Sequence, residues 1–206
     1  MTLGTVRVDQ ALDALRSDRP VILPTDTVYG LCANPFGERS VQRAYALKGR
    51  QSVQPSALVA SDVEMLLECL PELRSRLGPA LRELLPGPFT LVVPNLARRF
   101  RWLAGTKPDA IGVRVPQLPA PADEVVARIG AVMATSANLP GGPDPATVEE
   151  IPRELLDGCA AVVDAGELPG IPSTVIDLTG ETPRILREGA VSADEALARV
   201  AGLVGQ

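Results

Sequence analysis

Val21-Ile22-Leu23-Pro24-Thr25-Asp26-Thr27 is the stretch from which the fold is read. Three apolar residues follow a proline and read as a short buried strand, and the polar turn Pro24-Thr25-Asp26-Thr27 comes directly after them. The same alternation continues outward. Apolar residues at helical spacing predict a first helix over 8–17 and a second over 38–47. Further strands are expected at 57–60, 89–93, 111–115, 131–134, 160–163, 174–178 and 184–186. Further helices are expected from Ser61-Asp62 onward and over 73–85, 121–129, 148–156 and 193–203. Ser61 with Glu64 three residues on forms a capping-box pattern. Interleaved strands and helices define an α/β class with a largely buried sheet, and hairpin-like pairs near the C-terminus make that sheet mixed. Twenty prolines and 18 glycines suit short strands joined by turns. The stretch 94–109 reads as a long basic loop carrying Arg98, Arg99, Arg101 and Lys107, and such loops are often functional.

Composition narrows the chemistry. The 206 residues fit one domain over 1–206, and 46% apolar content is enough to fold it. No apolar run reaches the ~18–20 residues of a membrane span, and the N-terminus lacks a basic start followed by an apolar block, so a cytoplasmic protein is expected. Three cysteines, Cys32, Cys69 and Cys159, are odd in number and without CxxC spacing, and read as buried apolar residues. There is no histidine, which excludes Ser-His-Asp and Cys-His catalysis, His-ligated zinc and a His general base. A net charge of −5 disfavours nucleic-acid binding over a wide face.

GxxxxGK[ST] is absent, since Gly105-Thr106-Lys107 lacks its spacing, and so is GxGxxG. Any nucleotide needs another phosphate cradle. Open α/β sheets place ligands at strand ends, and the polar groups there are Thr25, Asp26, Thr27, Lys48, Arg50, Arg114, Thr135, Ser136, Asn138, Ser173, Thr174 and Arg187. Four cations with many hydroxyls and an amide suit a polyanion. Each also has a plain structural reading. Lys48 and Arg50 end a helix, where cations favour the dipole. Ser136 and Asn138 could cap the next turn. Ser173 could be an edge hydroxyl and Arg187 a surface arginine. Arg114, in an apolar strand, needs a partner, either an internal carboxylate or that of a ligand.

Pro24-Thr25-Asp26-Thr27-Val28-Tyr29-Gly30-Leu31 resembles the YrdC-like threonylcarbamoyl-adenylate synthases. The likeness continues in order through Lys48-Gly49-Arg50, Pro86-Gly87-Pro88-Phe89-Thr90-Leu91, Gly112-Val113-Arg114-Val115-Pro116, Ser136-Ala137-Asn138, Ser173-Thr174-Val175-Ile176-Asp177-Leu178 and Leu186-Arg187-Glu188-Gly189-Ala190. The length resembles the single-domain form. The resemblance implies a twisted open mixed β-sheet with flanking helices and a concave cavity that takes ATP and L-threonine together. It implies triphosphate contacts, and the catalytic role, for Lys48, Arg50, Ser136 and Asn138, and a further ATP contact for Arg187. Gln54 could hydrogen-bond the nucleotide. Thr27, Arg114 and Ser173 fall on positions associated with threonine. The implied product is threonylcarbamoyl-AMP, made with bicarbonate or CO₂ for a tRNA threonylcarbamoyl transferase complex. Magnesium is expected to arrive with ATP, because no acidic cluster forms a dedicated cage; Asp26 is the nearest candidate.

Gln51, Val53-Gln54, Val59, Pro140 and Glu188 depart from the usual family residues. Two alternatives stay open at this point. One is a paralogue making another carbamoyl-adenylate, as hydrogenase-maturation proteins do within longer chains that carry zinc-finger segments. The other is a double-stranded RNA-binding module without catalysis, against which acidic charge and few aromatics argue.

Overall fold

A computed structural model describes residues 8–49 and 54–201. Among them nine strands form one sheet. In chain order they are β1 (Val21–Pro24), β2 (Tyr29–Ala33), β3 (Ala57–Ala60), β4 (Phe89–Pro94), β5 (Ala110–Arg114), β6 (Ala131–Ser136), β7 (Ala161–Val162), β8 (Thr174–Asp177) and β9 (Arg184–Arg187). The helices are α1 (Val8–Arg16), α2 (Glu38–Leu47), α3 (Val63–Cys69), α4 (Gly78–Leu84), α5 (Ala122–Ile129), α6 (Arg153–Gly158) and α7 (Ala193–Ala201). The spatial order is β7-β1-β2-β6-β3-β5-β4-β8-β9. β1–β7, β3–β5 and β4–β8 pair in parallel and the other neighbours antiparallel, so the sheet is mixed as expected.

Strand periodicity sorts side chains onto two faces. Ile22, Leu31, Leu58, Met133, Leu91, Val113 and Ile176 join one large hydrophobic cluster, under residues of α2, α3, α4 and α7. Their alternates Val21, Leu23, Cys32, Val59 and Val132 join a second, smaller cluster built around α1 and α5. On β4, β5 and β8 the alternates of the large cluster are Thr90, Val92, Gly112, Arg114, Val175 and Asp177, and these line a cavity. Two helices cover one end of this face and leave the other end bare.

Local differences from the sequence reading have physical causes. β2 was not expected as a strand. It is the return arm of a hairpin, with Pro24 paired to Tyr29 around the polar turn and all five of its residues buried. Asp62, not Ser61, caps α3, accepting from Met65 N at 2.8 Å while Ser61 Oγ donates to the Asp62 carboxylate. The expected helix over 73–85 is a 3-10 turn at Pro71–Leu73 followed by α4, which starts afresh at Gly78-Pro79. The helix over 148–156 is likewise divided at Pro152, and the capping box lies ahead of it, at Thr147 and Glu150. Thr135 and Ser136 belong to β6 rather than following it. The long loop is pinned from within by fully buried Asn95, whose Nδ2 donates to the carbonyls of Arg99 and Pro108 and whose Oδ1 accepts from Arg99 N. Cys32 and Cys69 are buried as expected, whereas Cys159, at the end of α6, is only partly buried; burial pushes the Cys32 and Cys159 thiols up to about 12.

The segment after β9 clips back onto the start of β8. Thr174 Oγ1 donates to Val191 O and accepts from Gly189 N and Val191 N, while Ala190 N donates to Pro172 O. A Cβ on Gly189 would lie 2.6 Å from the carbonyl carbon of Ser173, inside the contact limit, so only glycine allows this approach. Gly189→Ala is expected to lower stability by about 1–3 kcal/mol in urea titration. Asp62→Ala is expected to lower it by about 1 kcal/mol, with Ser61→Ala close to neutral; the reverse order would restore Ser61 as the cap.

Candidate active site

The cavity has a volume of about 920 Å³, at the upper end of the usual range for small-molecule sites. Its depth comes from small side chains. Ala134, Ala57 and Gly112 stand in register on the adjacent strands β6, β3 and β5, and all three line it. A hydrogen or a methyl at each position leaves room that larger alternates fill at the covered end of the sheet. Thr27, Lys48, Gln54, Arg114, Ser136, Asn138, Ser173 and Arg187 all line this same cavity. Arg50 lies outside the described residues, as do Gln51 and Val53.

Lys48 follows α2 but its chain runs to the end of β6. It is 4% exposed. Its Nζ donates to Ser136 O and to Asn138 Oδ1 at 2.8 Å, with Thr135 Oγ1 at 3.3 Å. These three oxygens orient the ammonium. Ser136 Oγ also donates to Asn138 Oδ1 at 2.7 Å. The Asn138 amide donates in turn to Gly142 O at 2.6 Å and to Asp144 Oδ1 at 3.2 Å. Asn138 therefore both positions Lys48 and holds the next turn, so its two readings describe one residue. The arrangement fixes a cation at a strand end, the charge a phosphate cradle needs.

Arg114 has an internal counter-ion. Its Nη2 donates to Asp26 Oδ1 at 2.7 Å and to Thr27 Oγ1 at 3.3 Å, and both charged side chains are 11% exposed. Asp26, the sequence's nearest metal candidate, is thus spent on the arginine. Burial raises the Asp26 carboxyl above its ordinary value against the opposing charge of Arg114, and burial lowers Arg114 in the same way; these are the desolvation effects of an ion pair in a cavity wall. Asp26 Oδ2 and Arg114 Nε are buried without a partner among the described residues. Arg114 thus keeps donor capacity beyond the pair.

Thr25 Oγ1 ties the turn together, donating to Val28 O at 2.7 Å and accepting from Thr27 N and Val28 N at 3.2 Å. The Thr27 hydroxyl lies 3.0 Å from it and accepts from Arg114 Nη2 at 3.3 Å. Arg187 is exposed at the surface but turns its fork inward. Nε and Nη2 donate to Ser173 O at 3.1 and 2.8 Å, and Nη2 lies 3.2 Å from Ser173 Oγ. Residue types alone did not single out Thr90, whose Oγ1 lies 2.7 Å from Ser173 Oγ. Its signal was the polar residue breaking the apolar run of β4. Pro140 lines the cavity rim, Val59 is buried in the smaller cluster, and Glu188 accepts from Ala193 N at the start of α7. Among the described residues no three His, Cys, Asp or Glu side chains gather as a metal site, and no helix is long and apolar enough to cross a membrane.

The profile of the Sua5/YciO/YrdC family, described as Telomere recombination, matches residues 13–189. A putative threonylcarbamoyl-AMP synthase of Mycobacterium tuberculosis is 34% identical over 197 residues, covering 94% of this chain and 88% of the relative. A threonylcarbamoyl-AMP synthase of Escherichia coli is 35% identical over 186 residues, covering 87% and 94%. The crystal structure of P. abyssi Sua5 complexed with L-threonine superimposes with a TM-score of 0.84 at 30% identity, covering 96% of this chain and 58% of the other. The ordered motifs, the bare-faced mixed sheet and these matches agree that the chain belongs to the Sua5/YciO/YrdC family.

Proposed function

We propose that this chain condenses L-threonine, bicarbonate or dissolved CO₂, and ATP into threonylcarbamoyl-AMP and pyrophosphate. The observation that carries the reading is one cavity holding two differently built polar regions. The Lys48–Ser136–Asn138 cradle suits a triphosphate, and the Arg114, Thr27 and Ser173 wall suits an amino acid. The relatives named for this reaction and the relative bound to L-threonine support it.

In this reading the threonine amine adds to CO₂ and loses a proton to water, or condenses with bicarbonate with loss of water, to give an N-carboxylate. A carboxylate oxygen of that group attacks the α-phosphorus in line, and the bond to pyrophosphate breaks. The N-carboxylate is a weak nucleophile, so the protein acts mainly by holding it against the phosphorus; such positioning removes ~7–11 kcal/mol of barrier in favourable cases. Lys48, with Arg50 and Arg187, offsets the charge developing on pyrophosphate. Arg114 binds the α-carboxylate of threonine through donors left over from Asp26. Thr27, whose hydroxyl accepts from Arg114, stands beside it on the amino-acid side. No step needs a histidine, in keeping with a chain that has none.

Magnesium would be held by the ATP phosphates and would supply further charge neutralisation there. Of the carboxylates lining the cavity, Asp177 is filled by Thr179 and Arg184, and Asp144 is held beside Asn138, so the phosphates rather than a protein cage carry the ion. The product is a reactive mixed anhydride, to be consumed by acyl transfer to tRNA adenosine in the cytoplasm.

Mass spectrometry of purified protein with ATP, magnesium, bicarbonate and L-threonine is expected to detect threonylcarbamoyl-AMP, and none when threonine is omitted. A folded protein that binds ATP but yields no adenylate would instead favour a paralogous acyl group. Lys48→Ala is expected to lower turnover at least about a hundredfold with an unchanged melting profile. Arg114→Ala and Arg114→Lys are expected to raise the KM for threonine more than that for ATP; equal changes would remove Arg114 from the amino-acid side.

A further inference from the structure

Ser173 is 3% exposed and lines the cavity, and its hydroxyl lies against two neighbours. Arg187 Nη2 is a donor only, so at 3.2 Å it fills one lone pair of Ser173 Oγ. Thr90 Oγ1, at 2.7 Å, is the other neighbour. Thr90 sits on β4 between β5 and β8, and its side chain spans that gap. Its Cγ2 lies over Gly112 of β5, 3.6 Å from where a Cβ there would stand, and its hydroxyl turns to Ser173 beside β8. A β-branched side chain with its methyl packed on one side is stiff at χ1, so the hydroxyl stays on the Ser173 side.

We propose that Thr90 is a positioning residue whose hydroxyl bonds that of Ser173 and holds it where the amino-acid substrate binds. A hydroxyl has three hydrogen-bonding positions; Arg187 Nη2 and Thr90 Oγ1 occupy two on Ser173, which leaves one, in a fixed direction, for the substrate. This inference rests on the amino-acid reading of the cavity and names how one wall of it is set.

The test is steady-state kinetics of the full chain making threonylcarbamoyl-AMP. Thr90→Val keeps the shape and removes the hydroxyl, with Thr90→Ala as the second variant should the first melt early. Either is expected to raise the KM for L-threonine about tenfold, the effect of one lost hydrogen bond at the site, with the KM for ATP within about twofold. Thr90→Ser is expected to restore the threonine KM. Since Thr90 acts through Ser173, the Thr90→Val/Ser173→Ala double variant should match Ser173→Ala alone. An unchanged threonine KM in Thr90→Val, equal rises for both substrates, or additive effects in the double variant would each overturn the proposal while leaving the synthase reading standing. A wild-type protein that makes no adenylate would overturn that reading and this proposal with it.

Discussion

A row of small side chains governs what this sheet can do. Ala134, Ala57 and Gly112 lie side by side on three adjacent strands, on the face where larger residues would have demanded a covering helix. α1 and α5 cover the large apolar alternates at the other end of that face. Where the alternates shrink to hydrogen or methyl, or become Thr90 and Arg114, there is too little apolar surface to hold another helix, and the sheet stays open to ligand. The opposite face carries the large continuous cluster, which secures the fold independently of the cavity.

Polar groups on this bare face must be satisfied without water on the sheet side, and the satisfaction is directional. Asp26 partners the guanidinium of Arg114 before any substrate arrives, which avoids an unpaired buried charge. Asn138 takes protons from Lys48 and Ser136 on its oxygen and gives its own to the loop beyond, so the amide has one orientation only. Such pre-arranged dipoles need little reorganisation when charge develops, the property expected of a site that works by electrostatics and placement rather than by proton shuttling.

Integrity of the site also depends on close backbone approaches. Arg187 can fork onto Ser173 because the segment 189–191 lies against 172–174, and that approach leaves no room for a side chain at Gly189. Tyr29 ties down the segment 164–166, its single hydroxyl proton shared between Asp164 Oδ1 at 2.9 Å and Gly166 O at 2.8 Å while its oxygen accepts from Ala165 N; burial pushes the hydroxyl up to about 12.

Periodicity and punctuation determined the α/β class, the mixed sheet and most element positions, because burial on one face imposes a repeat of two or 3.6 residues that composition displays directly. The lack of histidine excluded whole classes of chemistry, and the ordered motifs indicated the family. Strand β2 was missed because a fully buried strand lacks alternation, and the two long helices were divided by prolines that a periodic count passes over. Residue type showed that Arg114 needed a partner but not which one, since the carboxylate of Asp26, 88 residues away, is brought to it by sheet pairing. Likewise only the tertiary structure set Thr90 against Ser173 and Asn138 between Lys48 and the loop beyond. Hydrogen bonding depends on which donors and acceptors surround each atom in space, and linear order carries no record of them.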